Sequence, residues 1–254
     1  YTDDLSDYDV NIYARDYASY LAKDHWMDQI GDVLLYQKEA FDFYDATIPT
    51  RLVLFRDQPR VDFSFWHPSL LADMVRGEKR YESYANGYQI LVDKDHLAEQ
   101  LPPPSGTGFR ITPPSREVFR QTLYDFWFEA QAVAKHLARG DLWYAKLVDN
   151  RYFKEHVFRM ALWHHQAARD WAPDPRLHLA GKRFETWAGP DLIAAISRCF
   201  AGYNVAATWE SLLATMTLFH KMARQTARHL DIAYPARVER DMLAFVRDLR
   251  DRYG

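Results

Sequence analysis

Apolar and polar residues alternate with period two at the start of the chain. In "DYDVNIYA", Tyr8, Val10 and Ile12 fall on one side of an extended strand, and Asp7 and Asp9 fall on the other. The same period recurs in "RLVLFR" and in "RVDFSFW", where Val61, Phe63 and Phe65 share a face opposite Arg60, Asp62 and Ser64. The turn-forming "DQP" at 57–59 lies between these two runs and predicts a β-hairpin. "KDHWMDQIG" predicts a short helix, "PSLLADMVRG" a helix that stops at Gly77, and "YQILVD" at 88–93 a further strand. Strands and helices in this mixed order define an α+β unit over residues 1–101.

Residues 102–114, "PPPSGTGFRITPP", lack a periodic apolar pattern and are proline-rich, so they read as a linker. Beyond it the period changes to that of helices. Ser115 is placed to cap "REVFRQTLYDFWFEAQAVAKHLAR", which runs to Gly140, and the helical period continues through "DLWYAKLVDNRYFKEHVFRMALWHHQAARD". Further helices are expected near 190–201, 208–230 and after Pro235, making residues 115–254 a helical bundle. Phe219, Met222, Ala223 and Thr226 keep the i, i+3, i+4, i+7 spacing of a buried stripe.

The chain of 254 residues is 48% hydrophobic with a net charge of -3, which suits a globular protein and offers no basic footprint for nucleic acid or an anionic membrane surface. No apolar run reaches the ~20 residues of a membrane helix, and the expectation is a cytoplasmic protein. The single Cys199 leaves no partner for an internal disulfide, and its setting in "LIAAISRCF" marks a buried thiol. Acid is concentrated early: residues 1–62 hold 13 Asp and Glu against 6 Lys and Arg. Such a balance suits metal ions or a cationic ligand.

That imbalance bears on the two aspartates of the opening strand. An arbitrary Asp-x-Asp is most often the wet face of an edge strand. Here a third acid, Asp62, has the same kind of position on another predicted strand. Three converging carboxylates repel, and a hard divalent cation relieves the repulsion. Mg²⁺ prefers carboxylate oxygens and completes its shell with water and phosphate, and a pair of such ions supports in-line displacement at phosphorus.

Asp-x-Asp on one strand with a third Asp on a neighbour resembles the polymerase-β-like nucleotidyltransferase superfamily. The chain is more closely similar to the aminoglycoside 6-adenylyltransferases, also called streptomycin adenylyltransferases. The blocks that carry the resemblance are "DYDV", "DHWMDQIGDVLLYQK", "LVLFRDQPRVDFSF", "ILVDKD", "SREVFRQTLYDFW", "VAKHLARGDLWYA", "RMALWH" and "TWESLLATMTLFHKMARQTARHLDIAYP", in the family's order. The resemblance implies an N-terminal nucleotidyltransferase domain with a mixed sheet and a C-terminal helical substrate-binding domain. It implies ATP as co-substrate, two Mg²⁺ ions held by Asp7, Asp9 and Asp62, and Asp62 as candidate acceptor of the hydroxyl proton. The superfamily also carries a Gly-Ser motif upstream of Asp-x-Asp; none lies among the six residues before Asp7, and it is expected ahead of Tyr1.

Other residues take candidate roles. Lys94, in "LVDKD", and Lys135, in "VAKHLAR", match family blocks and are candidates for nucleotide phosphate, although an ordinary charged strand end explains the first equally and a helical lysine is usually a solvated one. Asp125, Trp127 and Glu129 combine acids with an aromatic on a helix expected to face the catalytic domain, and suit a cationic sugar. Neighbouring His164 and His165 point about 100° apart on a helix and cannot jointly chelate a metal. The expected activity is transfer of AMP from Mg-ATP to a hydroxyl of streptomycin or a related aminoglycoside, with release of pyrophosphate and antibiotic resistance. The partners are then small molecules, with no nucleic acid and no membrane. Two alternatives stay open: another small-molecule or protein acceptor, and a non-catalytic binding module that has lost its nucleotide site.

Overall fold

The structure is a computed structural model that describes residues 5–57, 59–105, 110–177 and 180–254. Gln58, in the expected hairpin turn, and residues 106–109 of the expected linker lie outside the described residues. The chain divides into two compact units, 1–106 and 107–254, so the division falls within the proline-rich segment.

The first unit is built on a four-stranded mixed sheet: β1 Tyr8–Tyr13, β2 Val33–Phe43, β3 Ala46–Phe55 and β4 Val61–Trp66, in spatial order β1-β4-β3-β2. β1 runs parallel to β4, while β4, β3 and β2 are antiparallel in turn. The hairpin predicted from "RLVLFR" and "RVDFSFW" is the β3–β4 pair. β2, the longest strand, carries no clean alternation in sequence: most of its residues are exposed at the sheet edge, and pairing to β3 through a turn with Tyr44 at φ 54° defines it.

One sheet face carries Val10, Ile12, Val53, Phe55, Val61, Phe63 and Phe65, covered by α1 (Ala18–Ala22) and a 3₁₀ turn at Asp24–Gln29, where sequence reading expected a short helix. Met27 and Trp26 fill that layer. A polar pin fixes it: buried Arg51 donates to Asp24 at 2.9 Å and to the Leu21 carbonyl at 3.0 Å. Burial would raise the Asp24 pKa, but hydrogen bonds from Lys38 and Arg51 outweigh it and hold the carboxyl below its ordinary value.

The opposite face ends in an aromatic cluster. Trp66 is fully buried among Phe43, Ile48, Leu70 and Met74, with Tyr13, Phe41, Tyr81 and Tyr84 around it. α2 (Pro68–Val75) supplies Leu70 and Met74; it is capped by His67, whose ring accepts from Ser69 N–H at 3.2 Å, and it gives way to Gly77 at φ +75°.

Residues 88–93 correct one expectation: they form no strand. Gly87 at φ +125° redirects the chain, and Leu91 and Val92 are 73% and 74% exposed, so no apolar face is buried to fix a strand register. Asp93 instead accepts from the N–H groups of Leu97 and Glu99, capping a short 3₁₀ turn at Ala98–Gln100.

The second unit is helical: α3 Arg116–Ala138, α4 Leu142–Val148, α5 Lys154–Ala167, α6 Phe184–Trp187, α7 Pro190–Ser197, α8 Val205–His229 and α9 Ala236–Tyr253. Ser115 caps α3 as its position predicts, accepting from Val118 N–H at 3.2 Å, and Asn204 caps α8 through Ala207 N–H at 2.9 Å. Gly140, at φ +79°, ends α3. The buried stripe of α3 packs on α4, α8 and α9, and α5 packs on α8. Phe126 stacks on Phe219 at 3.5 Å and on Phe153 at 4.5 Å between ring centroids. A π-helical turn, Asp149–Phe153, joins α4 to α5 in a stretch where sequence showed only continuing helix. Cys199 is fully buried, and burial raises its thiol pKa, as expected of a packed cysteine.

Candidate functional site

The sheet face shared by Asp9, Asn11 and Tyr13 changes character along its length. Parallel pairing sets Asp9 opposite Asp62, Asn11 opposite Ser64 and Tyr13 opposite Trp66. The first rung is acidic. The second is neutral and polar: Trp66 Nε1 donates to Asn11 Oδ1 at 2.9 Å, and Ser64 and Thr50 hydroxyls lie 3.4 Å apart. The third is aromatic and buried. On β1 and β4 charge is therefore confined to the end of the face, where solvent reaches it, and Asp9 is exposed; the second rung meets a charge, the exposed Glu39, only on the edge strand β2.

Asp7 precedes β1 by one residue and joins the same cluster through Arg60. Arg60 donates from Nε and Nη2 to the two oxygens of Asp62 at 2.8 and 2.7 Å, and its Nη1 lies 4.0 Å from Asp7. The fork matches the carboxylate in the bidentate manner typical of arginine. Hydrogen bonding to Asp62, then the charges of Asp62, Asp7 and Asp9, raises the Arg60 pKa further above its already high value. Sequence reading put Arg60 on this face and gave it no role, yet its i, i+2 spacing to Asp62 on a strand was the available signal.

Among the described residues no group of three or more His, Cys, Asp or Glu side chains is drawn close enough to hold a metal ion. Among the described residues, Arg60 sets its guanidinium within this cluster. The donor set fits a hard divalent ion in kind: Asp7, Asp9 and Asp62 offer only carboxylate oxygens, and they already gather around a positive charge.

The remaining candidates lie elsewhere. Lys94 is exposed in the irregular segment that follows residue 87, and Lys135 is half-buried in the last turn of α3. Asp125 and Glu129 are one turn apart on α3; Asp125 accepts from Gln121 at 2.7 Å, and burial, then the Asp125 charge, raises the Glu129 pKa. Trp127 is only 2% exposed, with its ring edge-on to Phe126 in the helical core, so its aromatic area is used in packing. Its Nε1 is buried without a partner. His164 and His165 take separate partners, Gln225 at 2.8 Å and Asp174 at 2.9 Å.

An α+β unit with carboxylates gathered at one end of a mixed-sheet face, followed in sequence by a helical unit, has the makeup of a nucleotidyltransferase fold. The comparisons with known proteins are specific within that class: residues 1–249 match the streptomycin adenylyltransferase family, and the chain belongs to it. An aminoglycoside 6-adenylyltransferase of Campylobacter jejuni is 23% identical over 272 residues, covering 99% of this chain and 85% of the relative. One of Bacillus subtilis is 22% identical over 244 residues, covering 92% and 81%. The crystal structure of an aminoglycoside 6-adenyltransferase from Bacillus subtilis superposes with a TM-score of 0.53 at 18% identity, over 96% of this chain and 88% of that one, and shows the shared fold.

Proposed function

We propose that this chain transfers the adenylyl group of ATP to a hydroxyl of streptomycin or a related aminoglycoside. The new bond joins the acceptor oxygen to the α-phosphorus, the α–β anhydride bond breaks, and pyrophosphate leaves. The observation that supports the reading most is the pairing of Asp9 with Asp62, with Asp7 alongside, in a chain of the streptomycin adenylyltransferase family. Asp7, Asp9 and Asp62 are the residues that would hold two Mg²⁺ ions. When bound, such ions neutralise phosphate charge and support attack and departure at phosphorus.

The protein's own groups set the order of events. Asp62 is the candidate acceptor of the hydroxyl proton, but both its oxygens accept hydrogen bonds from Arg60. Proton acceptance therefore waits on release of that pair. Lys94 and Lys135 are proposed to meet nucleotide phosphate. On the drug side, Asp125 and Glu129 are proposed to receive cationic groups, with Trp127 fixing the helix that presents them. A half-exposed charge pair is worth about 1 kcal/mol at most, so Asp125→Asn should raise the KM for streptomycin about 5-fold at most and leave that for ATP unchanged.

The deciding experiment is a panel of aminoglycosides with ATP and Mg²⁺, followed by pyrophosphate release. Turnover with streptomycin supports the reading. Turnover with other acceptors and never with an aminoglycoside moves the chain to a different acceptor class, and no turnover with any acceptor argues for a binding module.

A further inference from the structure

The helical unit contains a cavity of about 1300 Å³ that none of the candidate site residues above lines. Its charge is opposite to what a polycationic drug requires. Lys146, Arg151, Lys154 and Arg159 line it against a single acid, Glu155. The π-helical turn between α4 and α5 contributes Asn150 and Arg151 to the wall, and π turns are frequent at functional sites.

Two of the cations are held in place by the protein. Asp149 is fully buried and is shared by both lysines: Lys154 Nζ donates to one of its oxygens and lies 3.3 Å from Thr215 Oγ1, while Lys146 Nζ is 3.4 Å from the other and 2.9 Å from the Ala201 carbonyl. Two ammonium groups against one carboxylate leave the wall with an excess positive charge, and a buried charge is costly without a counterion. Burial lowers the Lys154 pKa against the pull of Asp149, with the like charge of Lys146 adding to the effect. Arg151 and Arg159 are exposed, and among the described residues neither has an ion-pair partner.

Aromatic rings supply much of the rest of the surface, beside aliphatic side chains such as Leu147 and Leu162. Phe158 and Trp163 line the interior, and Trp143 and Tyr203 stand 76% and 66% exposed with ring centroids 6.4 Å apart. Exposed flat aromatics beside clustered cations form a surface on which a nucleobase stacks while its phosphates meet the charges. We infer that this cavity binds a nucleoside polyphosphate, its phosphates on Lys146, Arg151, Lys154 and Arg159 and its base against Trp143 and Tyr203. The choice of a nucleotide among ring-bearing polyanions rests on the adenylyl-transfer reading; the affinity for an anion with a ring does not.

The test is calorimetric titration of the full chain in EDTA with ATP, inorganic tripolyphosphate or streptomycin. Arg151→Gln with Arg159→Gln should weaken both ATP and tripolyphosphate about 10-fold or more and leave streptomycin unweakened. Trp143→Ala should weaken ATP and spare tripolyphosphate. If the double variant melts early, Arg151→Lys with Arg159→Lys keeps the charge and should restore most of the binding. A parallel rise in the KM for ATP identifies the ligand as the co-substrate and takes its phosphates away from Lys94 and Lys135, whereas an unchanged KM with one of two ATP equivalents lost identifies a separate effector; both support the cavity. Unchanged ATP and tripolyphosphate affinities in the double variant overturn it. If wild type then still releases pyrophosphate with streptomycin, only the cavity inference fails; arginine-dependent ATP binding without any turnover instead removes the proposed function and leaves the cavity.

Discussion

Arg60→Gln tests whether the guanidinium occupies the place of a catalytic cation. In the wild type two hydrogen bonds of 2.8 and 2.7 Å tie Arg60 to Asp62, and Asp7 lies 4.0 Å away. A divalent ion must displace the guanidinium from Asp62 before it can use that carboxylate. The cost is bounded by exposure: the side chains are 42% and 16% exposed, so solvent screening holds the pair to about 0.2–1 kcal/mol. That energy converts to about 1.4- to 5-fold in an equilibrium constant. Arg60→Gln should therefore lower the half-saturating concentration of Mn²⁺, followed by water-proton relaxation and competed with Mg²⁺, by that factor. Salt screens the pair, so the gap between wild type and variant should narrow as ionic strength rises. Thermal unfolding should shift by no more than a few degrees. Half-saturation that stays the same or rises in a folded variant would refute the competition.

Three further outcomes are expected. Asp9→Asn should reduce pyrophosphate release by about 100-fold or more, as for loss of charge stabilisation at a reacting centre, while its melting curve matches wild type because Asp9 lies outside both cores of its unit. Ser115→Ala should lower the urea midpoint by the equivalent of about 1 kcal/mol, because Val118 N–H loses its acceptor. His164 is held below its ordinary value of 6.5 chiefly by burial, so the unfolded chain binds the extra proton first as pH falls. Its contribution to stability is then complete above 6.5 and lost below it, and His164→Gln should flatten the slope of Tm against pH between about 7 and 5.

Sequence read well wherever one face of an element is buried. β1, β3 and β4 announce themselves because Val10, Ile12, Val53, Val61, Phe63 and Phe65 enter one layer at strict period two. The long helices announce themselves by stripes, the first of them bounded by Ser115 and Gly140, while the helix expected from 208 begins at Val205 under its Asn204 cap. The failures share a cause. β2 is an edge strand whose exposed residues are free of the pattern, and "YQILVD" has the composition of a strand but no sheet to join. The π turn at Asp149–Phe153 changes the hydrogen-bond register without interrupting the helical residue pattern, so only its buried charges could have marked it.

Parity put Asp7 and Asp9 on one face of their strand and Asp62 on the polar face of another, while the expectation that the two strands are neighbours came from the family resemblance; the β1–β4 pairing sets Asp9 opposite Asp62. What parity could not supply was the gradient behind it. An acid at position 11, one step further along the same face, would lie beside the Trp66 indole and the Tyr84 hydroxyl. Burial there already raises the Tyr13 and Tyr84 pKa values, so a carboxylate would lose its hydration with no cation to compensate. Asn11 keeps the acceptor that Trp66 Nε1 needs and omits the charge. The Asp-x-Asp therefore stops where solvent stops, with its acids at the end of the face where Arg60, or the ions proposed to replace it, can reach them.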